Sequence, residues 1–257
     1  MSTNGGPREI VLVARRELAA GREKLAGRLR DGVPGVQISR SLTSLYDKVC
    51  LKIFHQAMED LGETGPNGLI HEMALIADGS FGRSELAPFS DADMKLLHTP
   101  VAEGRMLPLS QRLIQDFCDV GLASGITCHT VASACASAVE DVRSCCALLD
   151  ARLVEGNEAL FEQFDSKFQA LIKRRHRVSI NELAESRQKE CTRYGETVYL
   201  IQPNVKRSPR ALRDVQLLRW IGRLKYGTRL EQLQKDITTT AETVESLTST
   251  LLNGIAQ

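Results

Sequence analysis

Two short stretches of this sequence carry residues able to do chemistry together. Gly79-Ser80 closes an apolar run, and after a ten-residue spacer Asp91-Ala-Asp93 opens another. Alternate side chains of a strand share a face, so Asp91 and Asp93 are expected to project together, ~6.6 Å apart along the backbone. Two carboxylates at that spacing converge on hard, oxygen-seeking cations such as Mg²⁺. A Gly-Ser turn beside them lets backbone N–H groups approach a triphosphate with no Cβ in the way. These parts suit phosphoryl or nucleotidyl transfer, in which metal ions clamp the attacking and leaving oxygens. A DxD pair alone also caps turns on solvent edges. The glycine turn, the spacer and the apolar strand are what lift this one above a surface loop.

The elements that must hold these residues can be read from hydrophobic spacing. Residues 69–77 read as a buried strand, 92–99 as a second and 126–131 as a third, with a helix at roughly 108–120 between the last two. Upstream, residues 8–30 read as a helix rich in Ala, Leu, Arg and Glu, stopped by the Gly32–Gly35 stretch with Pro34. Leu42, Leu45, Val49, Ile53 and Leu61 mark a second helix, broken by the loop 62–68. Everything after 132 reads helical, with a break near Pro203 and Pro209. The expectation is an α+β fold, a small sheet embedded in a mostly helical chain. The divisions expected are 1–65 (helical), 66–135 (sheet core) and 136–257 (helices completing the cleft). Leu230, Leu233, Ile237, Thr240, Val244, Leu247 and Leu251 alternate spacings of three and four. That pattern fits a helix packed back on the domain, or a self-association helix making a homodimer through 230–251.

Composition narrows the class. The chain has 257 residues, 42% hydrophobic and 25% charged, with 33 basic against 32 acidic side chains for a net charge of +1. Such a chain can build a core and is not of disordered composition. Balanced charge argues against coating a long nucleic acid, although Lys173, Arg174, Arg175, His176 and Arg177 form a local basic run. That run reads as a solvated helix face or as a contact for phosphate or an acidic partner. No apolar run approaches the ~20 residues that span a bilayer, and the start lacks a secretory h-region. The seven cysteines form no CxxC pair and the five histidines show no ligand spacing. Reduced thiols in a cytoplasmic protein are expected, and zinc is not.

The wording of the motif resembles a known family. GSFGRSELAPFSDAD (79–93) resembles the GGYGRGELxPxSDxD block of the bacterial PII uridylyltransferases, members of the DNA polymerase β-type nucleotidyltransferase superfamily. Three further stretches agree in order. DVGLASGITCHTVASAC (119–135) is similar to the family's GLEVGHSVRT segment. ALLDARLVEGNEALF (147–161) resembles its helix with the DARLLAG wording. YLIQPNVKRSPRALRDVQLLRWIGRLKYG (199–227) looks like the EPxxKxSPGGLRDxxxLxW block. The resemblance implies transfer of UMP from UTP, or another NTP, to a tyrosine of a PII-like signalling protein, with Mg²⁺ or Mn²⁺ in a two-metal site. It implies that Asp91 and Asp93 are catalytic and bind the metals, while Gly79 and Ser80 hold the phosphates. Arg83 would lie near the triphosphate or a neighbouring carboxylate. Lys206, Arg213 and Asp214 would line the nucleotide cleft, with a purely structural Arg213–Asp214 part as the alternative.

Departures from the pattern fall at places that matter. The family's Glu, His and Arg in the 119–135 stretch are Ala123, Ile126 and His129 here, so the third strand offers no acid. Its EPN is Gln202-Pro203-Asn204, and its Gly-Gly is Arg210-Ala211. Lys95 shares the strand face of Asp91 and Asp93, where the family prefers an apolar residue. Its ammonium could neutralise a carboxylate and compete with a metal, touch a phosphate, or curl outward. Asp78 reads as an Asp-Gly turn residue, with the alternative of an extra acid. Family members continue into HD hydrolase and ACT sensor domains, and no HD-type His/Asp cluster is present. Uridylyl removal and glutamine sensing are therefore not expected. A non-catalytic nucleotide- or PII-binding regulatory module is the alternative to the enzyme.

Overall fold

The computed structural model describes residues 8–195, 204–208 and 211–227. The tail pattern at 230–251, Gln202-Pro203 and Arg210 lie outside the described residues. The fold is α+β, with a four-stranded mixed sheet among helices. Two compact units divide the chain between Phe168 and Gln169.

The first unit opens with α1 (Glu9–Arg30) and α2 (Gly35–Asp60), joined by the Gly32/Pro34 break. Val11, Ala14, Leu18 and Leu25 of α1 recur at helical spacing and are buried. They meet Leu42, Val49, Ile53 and Ala57 of α2, and both helices pack on α4 (Glu103–Val120). This apolar layer covers one face of the sheet.

The sheet order is β3-β2-β1-β4. Strands β1 (Met73–Ala77) and β2 (Met94–His98) are antiparallel, β2 and β3 (Ile126–Thr130) parallel, and β1 and β4 (Arg152–Gly156) antiparallel. Met73, Leu75, Ala77, Met94 and Leu96 face the α1/α2/α4 core. The alternate residues Ala74, Ile76 and Leu97 are also fully buried, on the other face. That face meets α5 (Val131–Glu140), which contacts β2 and β3 and packs on α6 (Val142–Leu149). The strand expected over 69–77 is shorter, because Leu69–His71 form a 3₁₀ turn before β1.

A larger correction concerns 147–161, expected to be helical: Arg152–Gly156 form β4 on the sheet edge. All five β4 residues are half-buried, so no period-2 alternation marks the strand. Helix α7 (Glu158–Gly195) follows, beginning in the first unit and ending in the second.

The second unit contains the rest of α7 and α8 (Leu212–Tyr226). Among the described residues, Ile172, Leu183, Leu217, Trp220 and Leu224 are its buried apolar side chains. Arg187, 7% exposed, holds this unit's loop. Its guanidinium donates to Asp214 at 2.6 Å, to Glu190 at 3.1 Å, and to the carbonyls of Arg207 and Ser208 at 2.9 and 3.0 Å.

Candidate active site

The carboxylate pair lies where three chain segments are laced together by backbone bonds. Residues 91–93 precede β2 rather than belonging to it. The N–H groups of Ala92 and Met94 donate to the carbonyls of Ala123 and Gly125 at 2.8 and 2.9 Å. On the other side the Asp78 N–H donates to the Asp93 carbonyl at 3.1 Å, continuing the β1–β2 ladder one step past Ala77↔Met94. The segment is therefore fixed although it is not strand. Ala92 is buried, which turns Asp93 to the opposite side, and Asp91 is exposed.

Bare glycines frame the Asp93 carboxylate. A Cβ on Gly125 would sit 3.2 Å from Oδ1, tighter than ordinary contact, and one on Gly79 would sit 3.8 Å from Oδ2. Gly79 also takes φ +54°, a left-handed conformation that favours glycine. It opens α3 (Gly79–Gly82), a single helical turn just after β1. Gly82 is required for a different reason: a Cβ there would lie 2.1 Å from the Asp150 carbonyl oxygen. The turn thus packs directly on the junction between α6 and β4.

Arg83, after that turn, takes the carboxylate alternative. It donates to Glu85 at 3.0 Å and to buried Asp150 at 2.5 Å. Ser80 is half-buried beside Gly79. The spacer then reaches solvent, where Ala87–Ser90 close a turn and leave Phe89 fully exposed.

Asp78 is not a plain turn residue. It is 1% exposed, gives α3 no side-chain cap, and its oxygens take no hydrogen bond among the described residues. The Lys95 ammonium lies 2.7 Å from Oδ2, a charge contact outside hydrogen-bond geometry. Of the roles open to Lys95, the structure has it neutralise a carboxylate, and that carboxylate is Asp78. His129 lies beyond, on β3. Burial holds its imidazole below the usual range, with Lys95 and His98 pushing the same way and Asp78 opposing. Nε2 of His129 is 3.1 Å from the Thr127 hydroxyl.

Gly79, Ser80, Arg83, Asp91 and Asp93 therefore all lie in the first unit, in and around the turn and the laced segment. Lys206 and Arg213 belong to the second unit. Lys206 is exposed, and its carbonyl accepts from the Arg213 N–H at 2.9 Å. Arg213 donates to Gln216 at 3.1 Å and stacks over Trp220, 5.4 Å from ring centre, while Asp214 holds Arg187. Gly125 and Asp150 went unremarked in the sequence. The signal for Gly125 is a second glycine after the left-handed Gly121 that ends α4. Asp150 carries no local signal, because its partner Arg83 is 67 residues away. Among the described residues, no group of three or more His, Cys, Asp or Glu is placed to share a metal.

A mixed sheet carrying a glycine turn and an aspartate pair at the mouth of adjacent strands defines a nucleotidyltransferase fold, and the comparisons agree. The DUF294 nucleotidyltransferase family matches residues 21–131, and the GlnD PII-uridylyltransferase family matches 178–252. Within that class the chain is a relative of the PII uridylyltransferases. It is 31% identical over 234 residues, 91% of this chain and 26% of the relative, to the bifunctional uridylyltransferase/uridylyl-removing enzyme of Burkholderia orbicola. The enzyme of the same name from Aromatoleum aromaticum is 40% identical over 152 residues, 59% of this chain and 17% of the relative. That of Erythrobacter litoralis is 30% identical over 226 residues, 86% of this chain and 24% of the relative. The chain thus spans about a quarter or less of these relatives' length. No helix among the described residues is long and apolar enough to cross a membrane.

Proposed function

We propose that this chain is a nucleotidyltransferase that moves UMP from UTP to a tyrosine hydroxyl of a PII-type signalling protein. The observation that carries this reading is the Asp93 carboxylate framed by Gly79 and Gly125, its backbone tied to β1 on one side and to residues 123–125 on the other. A carboxylate so fixed is preorganised, which is where catalysis of phosphoryl chemistry resides. Asp91 and Asp93 offer oxygen ligands suited to Mg²⁺ or Mn²⁺. Bound there, such an ion supplies positive charge against the triphosphate. Gly79 and Ser80 give the phosphates close approach to backbone. The acceptor oxygen attacks the α-phosphorus in line, the α–β P–O bond breaks, and pyrophosphate leaves with the bond's electrons while the tyrosine proton passes to water. The seven free thiols support a reducing, cytoplasmic setting.

One observation favours a second reading. The Lys95–Asp78 pair places an ammonium beside the aspartates, and the described residues bring no third ligand to them. A regulatory module that binds nucleotide or PII without transfer fits that. The two readings separate on labelled UTP, Mg²⁺ and a purified PII protein. Label on the PII protein that disappears in Asp91→Asn and Asp93→Asn supports the enzyme. Absent transfer, with metal-independent UTP binding intact, overturns it in favour of the module.

A further inference from the structure

Apolar side chains scattered singly over a surface are ordinary, but Phe89 is placed where a lone ring has a use. It is the most exposed large apolar side chain among the described residues, at 101%, with Val101 next at 85%. It stands at the tip of the spacer between the glycine turn and the aspartate pair. Both ends of that spacer are fixed. The Glu85 N–H donates to the Ser80 carbonyl at 2.9 Å. Leu86, 1% exposed, belongs to the core, and its carbonyl accepts from the Ser39 hydroxyl of α2 at 2.6 Å. On the far side Ala92 is buried, its N–H bonded to the Ala123 carbonyl at 2.8 Å.

Between these anchors the turn Ala87–Ser90 is closed twice. The Ser90 N–H donates to the Ala87 carbonyl at 2.9 Å, and the Ala87 N–H donates to the Ser90 hydroxyl at 3.0 Å. Pro88, second in that turn, fixes its own φ. An aromatic side chain on such a tip has little backbone freedom left to lose on binding, and only two χ angles to freeze.

The neighbourhood says what would cover the ring. Phe89 lies two residues before the exposed Asp91, at most ~7 Å of extended chain. A standard protein–protein interface covers ~800 Å² per partner, a disc of ~16 Å radius. A protein that presents a hydroxyl at the Asp91/Asp93 pair therefore covers Phe89 as well. The nucleotide is the weaker occupant, because small-ligand sites are concave and bury most of the ligand, whereas this ring is fully exposed.

We propose that Phe89 is a docking residue for the acceptor protein: its ring enters an apolar recess on that protein beside the hydroxyl to be modified, and so helps select the acceptor. The proposal rests on the nucleotidyltransferase reading above.

Transfer from labelled UTP to a purified PII protein, with Mg²⁺ and with each substrate varied in turn, tests it on the wild type, Phe89→Ala and Phe89→Trp. Phe89→Ala is expected to raise the KM for the PII protein about 30-fold, the size of truncating an aromatic anchor. Its kcat, its KM for UTP and its melting temperature should match the wild type, and Phe89→Trp, which keeps a large ring, should stay near the wild type throughout. An unchanged KM for the PII protein in Phe89→Ala overturns the proposal while leaving the nucleotidyltransferase reading intact. A raised KM for UTP instead assigns the ring to the nucleotide and overturns it too, as does a lowered melting temperature, which would make the ring structural. No transfer by the wild type overturns the nucleotidyltransferase reading, and this proposal with it.

Discussion

The two faces of one small sheet are put to opposite use. Met73, Leu75, Ala77, Met94 and Leu96 face the α1/α2/α4 layer in a continuous apolar core. The opposite face is apolar only in its middle, at Ala74, Ile76 and Leu97, and changes at one end to Asp78, Asp93 and Lys95. The first face gains stability from burial and tolerates many apolar choices of similar volume. The second places Asp78 and Asp93 across from each other with Lys95 beside them, an arrangement that costs stability unless the charges are compensated. The difference separates the part of the sheet that folds the chain from the part that carries charged side chains.

Substitutions should divide along that line. On the charged face, Asp93→Asn is expected to lower transfer at least ~10³-fold, about 4 kcal/mol of barrier. Its melting temperature should stay close to that of the wild type, because the substitution keeps the size of the side chain and the backbone bonds of residues 92–94. A large fall in melting temperature would place Asp93 among the structural residues. On the apolar face, Leu75→Ala should cost about 3 kcal/mol in denaturant melts through transfer and cavity terms, with UTP affinity unchanged in the folded fraction. Altered affinity there would mean that the two faces are not separate.

Lys95→Met sits on the boundary. It should cost about 3 kcal/mol by leaving buried Asp78 uncompensated, and Lys95→Met/Asp78→Asn should recover most of the loss. Absence of recovery would show that the ion pair is not what holds the lysine. The smallest effect expected is a pH dependence. His129 is held below its ordinary 6.5, chiefly by burial. Below pH 6.5 the unfolded chain therefore binds the proton more readily than the folded one, and stability falls as pH falls. His129→Gln should flatten that part of the stability curve, read by melts between pH 7 and 5.

How far the sequence reached depended on whether a feature was local. Helices α1 and α2 were legible because Val11, Ala14 and Leu18, or Leu42, Val49 and Ile53, repeat a helical period within one element. The Gly-Ser turn and the aspartate pair were legible because their spacing is local too. Strand β4 was not. Its five residues are half-buried along the sheet edge, so burial imposes no alternation on them, and its pairing partners in β1 lie some eighty residues earlier. The partner of Lys95 was equally hidden. Its pairing with Asp78 follows from the diagonal of the β1–β2 register, which a single strand's alternation does not contain. Gly125 could be seen as a glycine, but not as one of two that make room for a carboxylate, until the 123–125 stretch was laid beside residues 92–94.

We propose that Asp91 and Asp93 form a divalent-ion and nucleotide site rather than a surface acid pair. Calorimetric titration of UTP tests it most directly, run with Mg²⁺ and with EDTA on the wild type and on Asp93→Asn. Binding is predicted only for the wild type with Mg²⁺ present. Equal UTP affinity in EDTA, or in Asp93→Asn, would contradict the claim.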